Sequence, residues 1–218
     1  NTQLTLACGL RDMITSHASL NTRPINNQTN SIGNVYTVPA VSGEPIVFEK
    51  YSAYCTSIDT RPDDLHETVR DELDIACALG FDELCREQRG YLADFWKDAD
   101  ITIQGDDWLQ GAIRFNMFHL LQSAGRNGYT SVPAKGLTGQ SYNGHYFWDT
   151  EGYMLPFFLH TRPVIARRLL EYRYHTLRRA RRRAREMSHS RGVLFPWRTI
   201  NGAECSANPP TGTAQYHI

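Results

Sequence analysis

The sequence predicts a mixed chain, β first and then α: the end of a β-sandwich joined to an all-helical segment. Three observations carry this. Residues 1–60 are rich in Val, Ile, Thr, Tyr and Phe, broken by Gly, Pro and Asn clusters. From "RPDDLHETV" (61–69) onward, apolar residues recur at helical spacing instead. No internal repeat or low-complexity linker interrupts the 218 residues. Several short strands with no helix between them favour sheet-on-sheet packing.

The elements run in order along the chain. "QLTLACGL" (3–10), "VYTVPA" (35–40) and "EPIVFEKYSAYCTSID" (44–59) read as strands, with "RPINNQTNSIGN" (23–34) as separator. Asp63 or Asp64 caps a first helix, and Val69, Leu73, Ala76 and Leu79 form its stripe until Gly80 stops it. Asp82 caps a second, with Leu84, Gln88, Leu92 and Trp96 on one side. A third starts after "GDD", carries Leu109, Ile113, Asn116, Met117, Leu120 and Leu121, and ends at Gly125. Beyond a Gly-rich loop (125–144) come a short helix at 150–160 and a long one from Pro163 to Met187. Pro163 suits a first-turn position, and Leu170, Tyr174, Leu177, Ala180, Ala184 and Met187 make the predicted buried stripe.

Composition narrows the function. Hydrophobic residues are 41% of the chain, and no run approaches the roughly 18 apolar residues of a membrane span, so no membrane partner is expected. The opening "NTQLTLACGL" has no signal-peptide pattern and no initiator Met, which places the expected start elsewhere. The five cysteines show no metal-ligand spacing; they read as reduced thiols of a cytoplasmic protein, and a Cys77–Cys85 disulfide has no further support. Charge is lopsided: residues 1–110 hold 18 acidic against 8 basic side chains, and residues 111–218 hold 5 against 15. A basic half can meet nucleic acid, anionic ligands or an acidic segment of its own protein.

The basic signal concentrates in "RRARRRARE" (178–186). Ala180 and Ala184 keep the helical stripe through it, so the arginines occupy solvated faces, and no aromatic residues interleave for base stacking. Nucleic acid is therefore not an expected partner. "AKGLTGQSYNGH" (134–145) lacks the phosphate-loop pattern and reads as a structural loop at a pocket mouth. His145 sits near Asp149 and Glu151, but no metal-binding pattern appears and no metal is expected.

Trp148-Asp149 has two readings. An indole face packs on the C–H face of a sugar ring while the adjacent carboxylate accepts hydrogen bonds from its hydroxyls. Alternatively, Asp149 caps the next helix. "LFPWRTINGAEC" (194–205) adds Trp197, Arg198 and Glu204 beside Pro and Gly. Two Trp/carboxylate clusters on helix-to-helix loops suit a carbohydrate pocket.

The ordered set "EKYSAYCTSID", "ITIQGDDWLQGAIRFNMFHLLQS", "AKGLTGQSYNGHYFWDTEGYMLPFF", "LLEYRYHTL", "GVLFPWRTINGAECS" and "GTAQYHI" resembles glycoside hydrolase family 65. That family includes maltose, trehalose, kojibiose and nigerose phosphorylases and acid trehalases. The closing wording is more like the kojibiose or nigerose type. The resemblance implies residues 1–62 as the end of an N-terminal β-sandwich, 63–104 as linker helices, and 105–218 as the first third of an (α/α)6 catalytic barrel. A third of a barrel, taken alone, is expected to be unstable or to self-associate through apolar surface.

The implied activity is inverting phosphorolysis of an α-linked glucosyl disaccharide to β-glucose 1-phosphate. Inorganic phosphate is then the co-substrate, no cofactor is needed, and the full-length protein is a homodimer. A trehalase-like hydrolase and a non-catalytic sugar-binding piece are the alternatives. Trp148 and Asp149 match the family's sugar-binding pair, and Trp197, Arg198 and Glu204 its pocket loop, with His145 alongside. The general acid is expected beyond Ile218, and Glu151 is expected at a helix start. Two positions depart from the family: Gly152 replaces a bulky apolar residue, and Ala203 a carboxylate.

Overall fold

The computed structural model describes residues 3–25, 32–137, 139 and 141–206. The closing "GTAQYHI" therefore lies outside the described residues. The chain is β first and then helical, and it divides into two compact units, Gln3–Gln88 and the residues from Arg89 onward.

In the first unit, strand β1 (Leu6–Thr15) pairs antiparallel with β4 (Val47–Thr56), Leu6 opposite Thr56. Strand β2 (Asn21–Ile25) pairs with β3 (Gly33–Thr37). Tyr36 joins the two sheets, its hydroxyl donating to Asp12 Oδ2 at 2.8 Å. The end of β2 falls in the segment expected to be a separator, on account of its Pro and Asn content. In a two-stranded sheet Pro24 can turn its missing N–H away from the single partner strand.

Helix α1 (Leu65–Leu79) lays Leu65, Val69 and Leu73 inward, where Val69 and Leu73 meet Tyr51 of β4. Gly9 makes the approach close: a Cβ there would stand 2.3 Å from Val69 Cγ1 and 2.8 Å from Leu73 Cδ1. Gly80 ends α1, as its position predicts. The caps differ from expectation. Residues 62–64 form a 3-10 turn and Asp64 makes no side-chain cap bond, while α2 (Phe81–Ala99) starts directly after Gly80 with Asp82 inside its first turn.

In the second unit, α3 (Asp107–Ser123) is capped by Asp106, whose carboxylate accepts from the Leu109 N–H at 2.9 Å. Helix α4 (Leu155–Thr161) and helix α5 (Pro163–Glu186) meet at Arg162. Its guanidinium donates to the Asp94 carbonyl and carboxylate and to Asp98, and lies 5.8 Å from the Phe95 ring centroid. That fork ties the α4–α5 corner to α2. Phe95 and Ala99, Met117 and Leu121, Phe158, and Ile165, Ala166 and Leu169 share one core with Val132. Each large apolar side chain among these, fully buried, contributes on the order of 1.5–3 kcal/mol.

The buried side of α5 is offset from the predicted stripe. It runs through Leu169, Tyr172, Arg173, Thr176, Ala180 and Ala184, while Leu170 and Tyr174 are exposed. Helical periodicity fixes the spacing of a stripe, but α5 carries two adjacent apolar stripes, and packing selects the one that meets α4 and the 194–202 loop. The arginine run conforms to expectation: Ala180 and Ala184 are buried, and Arg182 and Arg183 pair with Glu186 at 3.5 and 3.3 Å. Cations at a helix C-terminus also suit its dipole. The five cysteines are free thiols.

Candidate functional site

A two-residue ribbon assembles the site. Strand β5 (Tyr146–Phe147) pairs antiparallel with β6 (Arg198–Thr199), Tyr146 opposite Thr199 and Phe147 opposite Arg198. The next residue on one strand is Trp148, and the residue before the other is Trp197. Their rings meet edge to face, centroids 5.2 Å apart at 72°. Phe147 packs on Trp197 at 6.0 Å and on Tyr142 at 5.2 Å. Such pairs are worth about 0.5–1.5 kcal/mol each beyond their burial. The two Trp motifs, almost fifty residues apart, thus form one half-buried aromatic platform.

Asp149 stands at its edge, half-buried. Its side chain makes no cap bond to the next turn, and no hydrogen bond or ion pair among the described residues. The cap reading of Asp149 is therefore not the one realised. Directly after it comes a π-turn, Thr150–Met154, closed by the Leu155 N–H donating to the Thr150 carbonyl. The Leu155 N–H thus passes over the Glu151 carbonyl, and Pro156, next in the chain, has no N–H to return to the carbonyl of Gly152. Such π-turns cluster at functional sites.

Gly152 lies in this turn with open space around it, the nearest atom to an added Cβ being Trp148 Cζ3 at 4.0 Å. A Gly152→Ala substitution is therefore expected to stabilise by about 0.5–1 kcal/mol through lost backbone entropy. A melting temperature at or below wild type would contradict this.

Glu151 does not point into the site. Both its oxygens accept from Arg173 of α5, Nε to Oε1 and Nη2 to Oε2, each at 2.7 Å. Sequence reasoning misses Arg173, because nothing in "LLEYRYHTL" marks one arginine of a basic helix as buried. Glu204 is likewise committed. Its carboxylate accepts from the backbone N–H groups of Trp197 (2.8 Å), Arg198 (3.4 Å) and Ser206 (2.8 Å), and from the Ser206 hydroxyl. It shapes the Trp197 loop from beneath. It also lines a cavity of about 220 Å³ with Arg179, Arg182 and Pro196, and neither Trp148 nor Asp149 lines that cavity.

His145 and Arg198 meet at the Tyr142 carbonyl. His145 Nδ1 lies 2.7 Å from that oxygen and Arg198 Nη2 3.2 Å. Arg198 Nη2 also lies 3.3 Å from His145 Nδ1. A ring nitrogen that donates to the carbonyl cannot accept from Arg198, so the shorter contact sets the tautomer. With the His145 N–H at 3.0 Å, three donors converge on one oxygen. They hold Tyr142 (φ 63°) and Asn143 (φ 49°) in the left-handed region, an uncommon conformation for non-glycine residues. His145 and Arg198 thus brace the loop against the platform.

The 194–202 loop is fixed from α5. The Tyr172 hydroxyl donates to the Ile200 carbonyl at 2.9 Å, and the Leu194 N–H to the Ala180 carbonyl at 3.1 Å. Burial pushes the Tyr172 and Tyr146 phenols up. Gly202 (φ 90°) brings the backbone onto Thr176, and its N–H donates to Thr199 Oγ1 at 2.7 Å. A second cleft, of about 570 Å³, opens between α3 and residues 132–136, with Phe115, Asn116, His119, Lys135 and Met154 on its walls. No pattern in the sequence points to it.

Comparison with known proteins bears on this geometry. The profile of the glycosyl hydrolase family 65 N-terminal domain matches residues 1–95, and that of the family's central catalytic domain matches residues 114–217. An alpha,alpha-trehalose phosphorylase of Thermoanaerobacter brockii is 50% identical over 84% of this chain and 24% of its own length. One from Geobacillus stearothermophilus is 60% identical over 64% of this chain and 18% of its own. A kojibiose phosphorylase of Halothermothrix orenii is 46% identical over 65% and 18%. A solved chain from the human microbiome, assigned as a kojibiose phosphorylase, superposes with a TM-score of 0.77 at 30% identity, over 93% of this chain and 26% of that one. The chain thus spans about a quarter or less of the length of these relatives. Identity is higher to the two trehalose phosphorylases than to the kojibiose phosphorylase, whereas the sequence wording leans to the kojibiose or nigerose type.

Proposed function

Because the chain belongs to glycosyl hydrolase family 65, we propose that it carries part of the glucosyl subsite of an inverting disaccharide phosphorylase. The observation that carries this is the Trp148–Trp197 edge-to-face platform with the unpartnered Asp149 carboxylate beside it. The indole surface takes the C–H face of a glucosyl ring, and Asp149 accepts from its hydroxyls. Arg198 and His145 hold the loop that closes one side, and Glu204 holds the loop that presents Trp197. In this reading residues 1–62 are the end of a β-sandwich, 63–104 the linker, and 105–218 the first third of an (α/α)6 barrel.

A protonated carboxyl delivers a proton to the glycosidic oxygen, and phosphate attacks the anomeric carbon from the opposite face. The products are β-glucose 1-phosphate and the released sugar. Phosphate is already an anionic nucleophile, so donors that position it replace the base that a hydrolase needs to activate water. Glu151 does not serve as the acid, since both its oxygens are bound by Arg173. The platform residues orient the glucosyl unit, so that protonation and attack act on one fixed bond.

The trehalose phosphorylases among the relatives make α,α-trehalose the first substrate to test, with kojibiose next. The full-length enzyme, assayed on a glucosyl-disaccharide panel with and without phosphate, is expected to release β-glucose 1-phosphate from one member, and only when phosphate is present. Undiminished glucose release without phosphate would replace this reading by hydrolysis.

A further inference from the structure

We propose that Arg173 is a positioning residue for glucosyl binding: through Glu151 it sets the Trp148–Asp149 turn against the Trp197 loop. This role rests on the proposed glucosyl subsite and adds to it a residue that never touches the sugar.

The two halves of the platform come from segments almost fifty residues apart, so something must fix one against the other. Helix α5 holds both. Tyr172, Arg173, Thr176 and Ala180 lie on one face of it, at helical spacing. Tyr172, Thr176 and Ala180 take the 194–202 loop, through the Ile200 carbonyl, the close approach of Gly202, and the Leu194 N–H. Arg173 takes the other loop. Its fork meets both oxygens of Glu151, and the Glu151 N–H in turn donates to the Trp148 carbonyl at 3.0 Å. Any rotation of Glu151 therefore passes directly into Trp148 and Asp149.

The environment suits an orienting role better than a stabilising one. The Arg173 side chain is 10% exposed and that of Glu151 23%. Pairing charges at such depth recovers little beyond the cost of desolvating them, and well-packed apolar side chains of equal volume are often as stable. What the pair gives is direction. A planar guanidinium bound at two points fixes the carboxylate plane as well as its distance, which a lysine ammonium does not. The Tyr172 and Phe195 rings lie 5.4 and 5.9 Å from the guanidinium carbon and restrict its swing.

The test uses Arg173→Lys, Glu151→Gln and the double variant in the full-length enzyme. Glucose binding is measured by calorimetry, phosphorolysis by KM and kcat for each substrate, and folding by melting. Arg173→Lys keeps the charge and loses the fork. It is expected to weaken glucose binding and raise the disaccharide KM about tenfold, leaving the phosphate KM unchanged and the melting temperature near wild type. Glu151→Gln should act in the same direction, and the double variant should be no worse than the more impaired single one. Unchanged glucose affinity in both single variants would overturn the role of Arg173 while leaving the subsite intact. So would independent, additive losses in the double variant. Wild-type enzyme that binds glucose but performs no phosphorolysis would remove the proposed function and leave this inference to the binding data. Wild-type enzyme that binds no glucose would overturn both.

Discussion

Replacing Asp149 by Ala in the full-length enzyme is expected to lower kcat/KM for the disaccharide at least tenfold, with the melting temperature held. One lost hydrogen bond to a charged acceptor is worth about 1.4 kcal/mol or more, a factor of ten. The two readings of Asp149 diverge on the second measurement. A capping aspartate replaced by Ala costs about 1 kcal/mol of stability. Asp149 makes no cap bond and no ion pair among the described residues, so its removal takes nothing from the fold. A drop in stability without a change in kcat/KM would return Asp149 to the helix and take it out of the pocket.

The second large effect falls on a glycine, not a charged group. Gly202→Ala is expected to destabilise the helical unit from Arg89 onward by about 2–4 kcal/mol. Two costs combine. An L-residue at φ 90° is strained, and its Cβ would stand 2.8 Å from Thr176 Cβ and 3.0 Å from Thr176 Cγ2, on a helix that cannot recede. The loop would have to lift from α5, loosening the Gly202–Thr199 hydrogen bond and with it β6 and Trp197. Chemical denaturation checks the stability, and the disaccharide KM checks the loop. A variant as stable as wild type would show that the loop does not rest on Thr176. The opposite sign expected for Gly152→Ala makes these two glycines a matched pair: one is required by close approach, the other occupies open space.

The features legible in the sequence are mostly local. The end of α1 at Gly80, the start of α3 after Asp106 and the start of α5 at Pro163 depend on backbone geometry within a few residues, and each lies where its residue type places it. The β-then-α order and the pairing of Trp148 with Trp197 in one cluster were also within reach, since composition and family resemblance both point there. The misses are tertiary. Leu170 and Tyr174 read as core because they are apolar at the right spacing, yet the neighbouring stripe is the one that is covered. Arg173 reads as one more solvated arginine, because a side chain's burial depends on what crosses above it. Glu204 keeps its place beside Trp197 but faces the backbone, and no spacing rule distinguishes a carboxylate that binds a ligand from one that binds three amide N–H groups.

The π-turn at Thr150–Met154 governs how this site tolerates change in length. A regular helix advances about 100° per residue, so the wider turn acts as a phase shifter between the direction of Asp149 and the face of α4 that buries Phe158. Deleting a single residue there would close the wide turn and leave the core of α4 in register. It would also swing Trp148 and Asp149 roughly a quarter-turn away from Trp197. One-residue insertions and deletions in this turn therefore re-aim the platform without unfolding anything, whereas a substitution such as Gly152→Ala, in open space, leaves its direction unchanged.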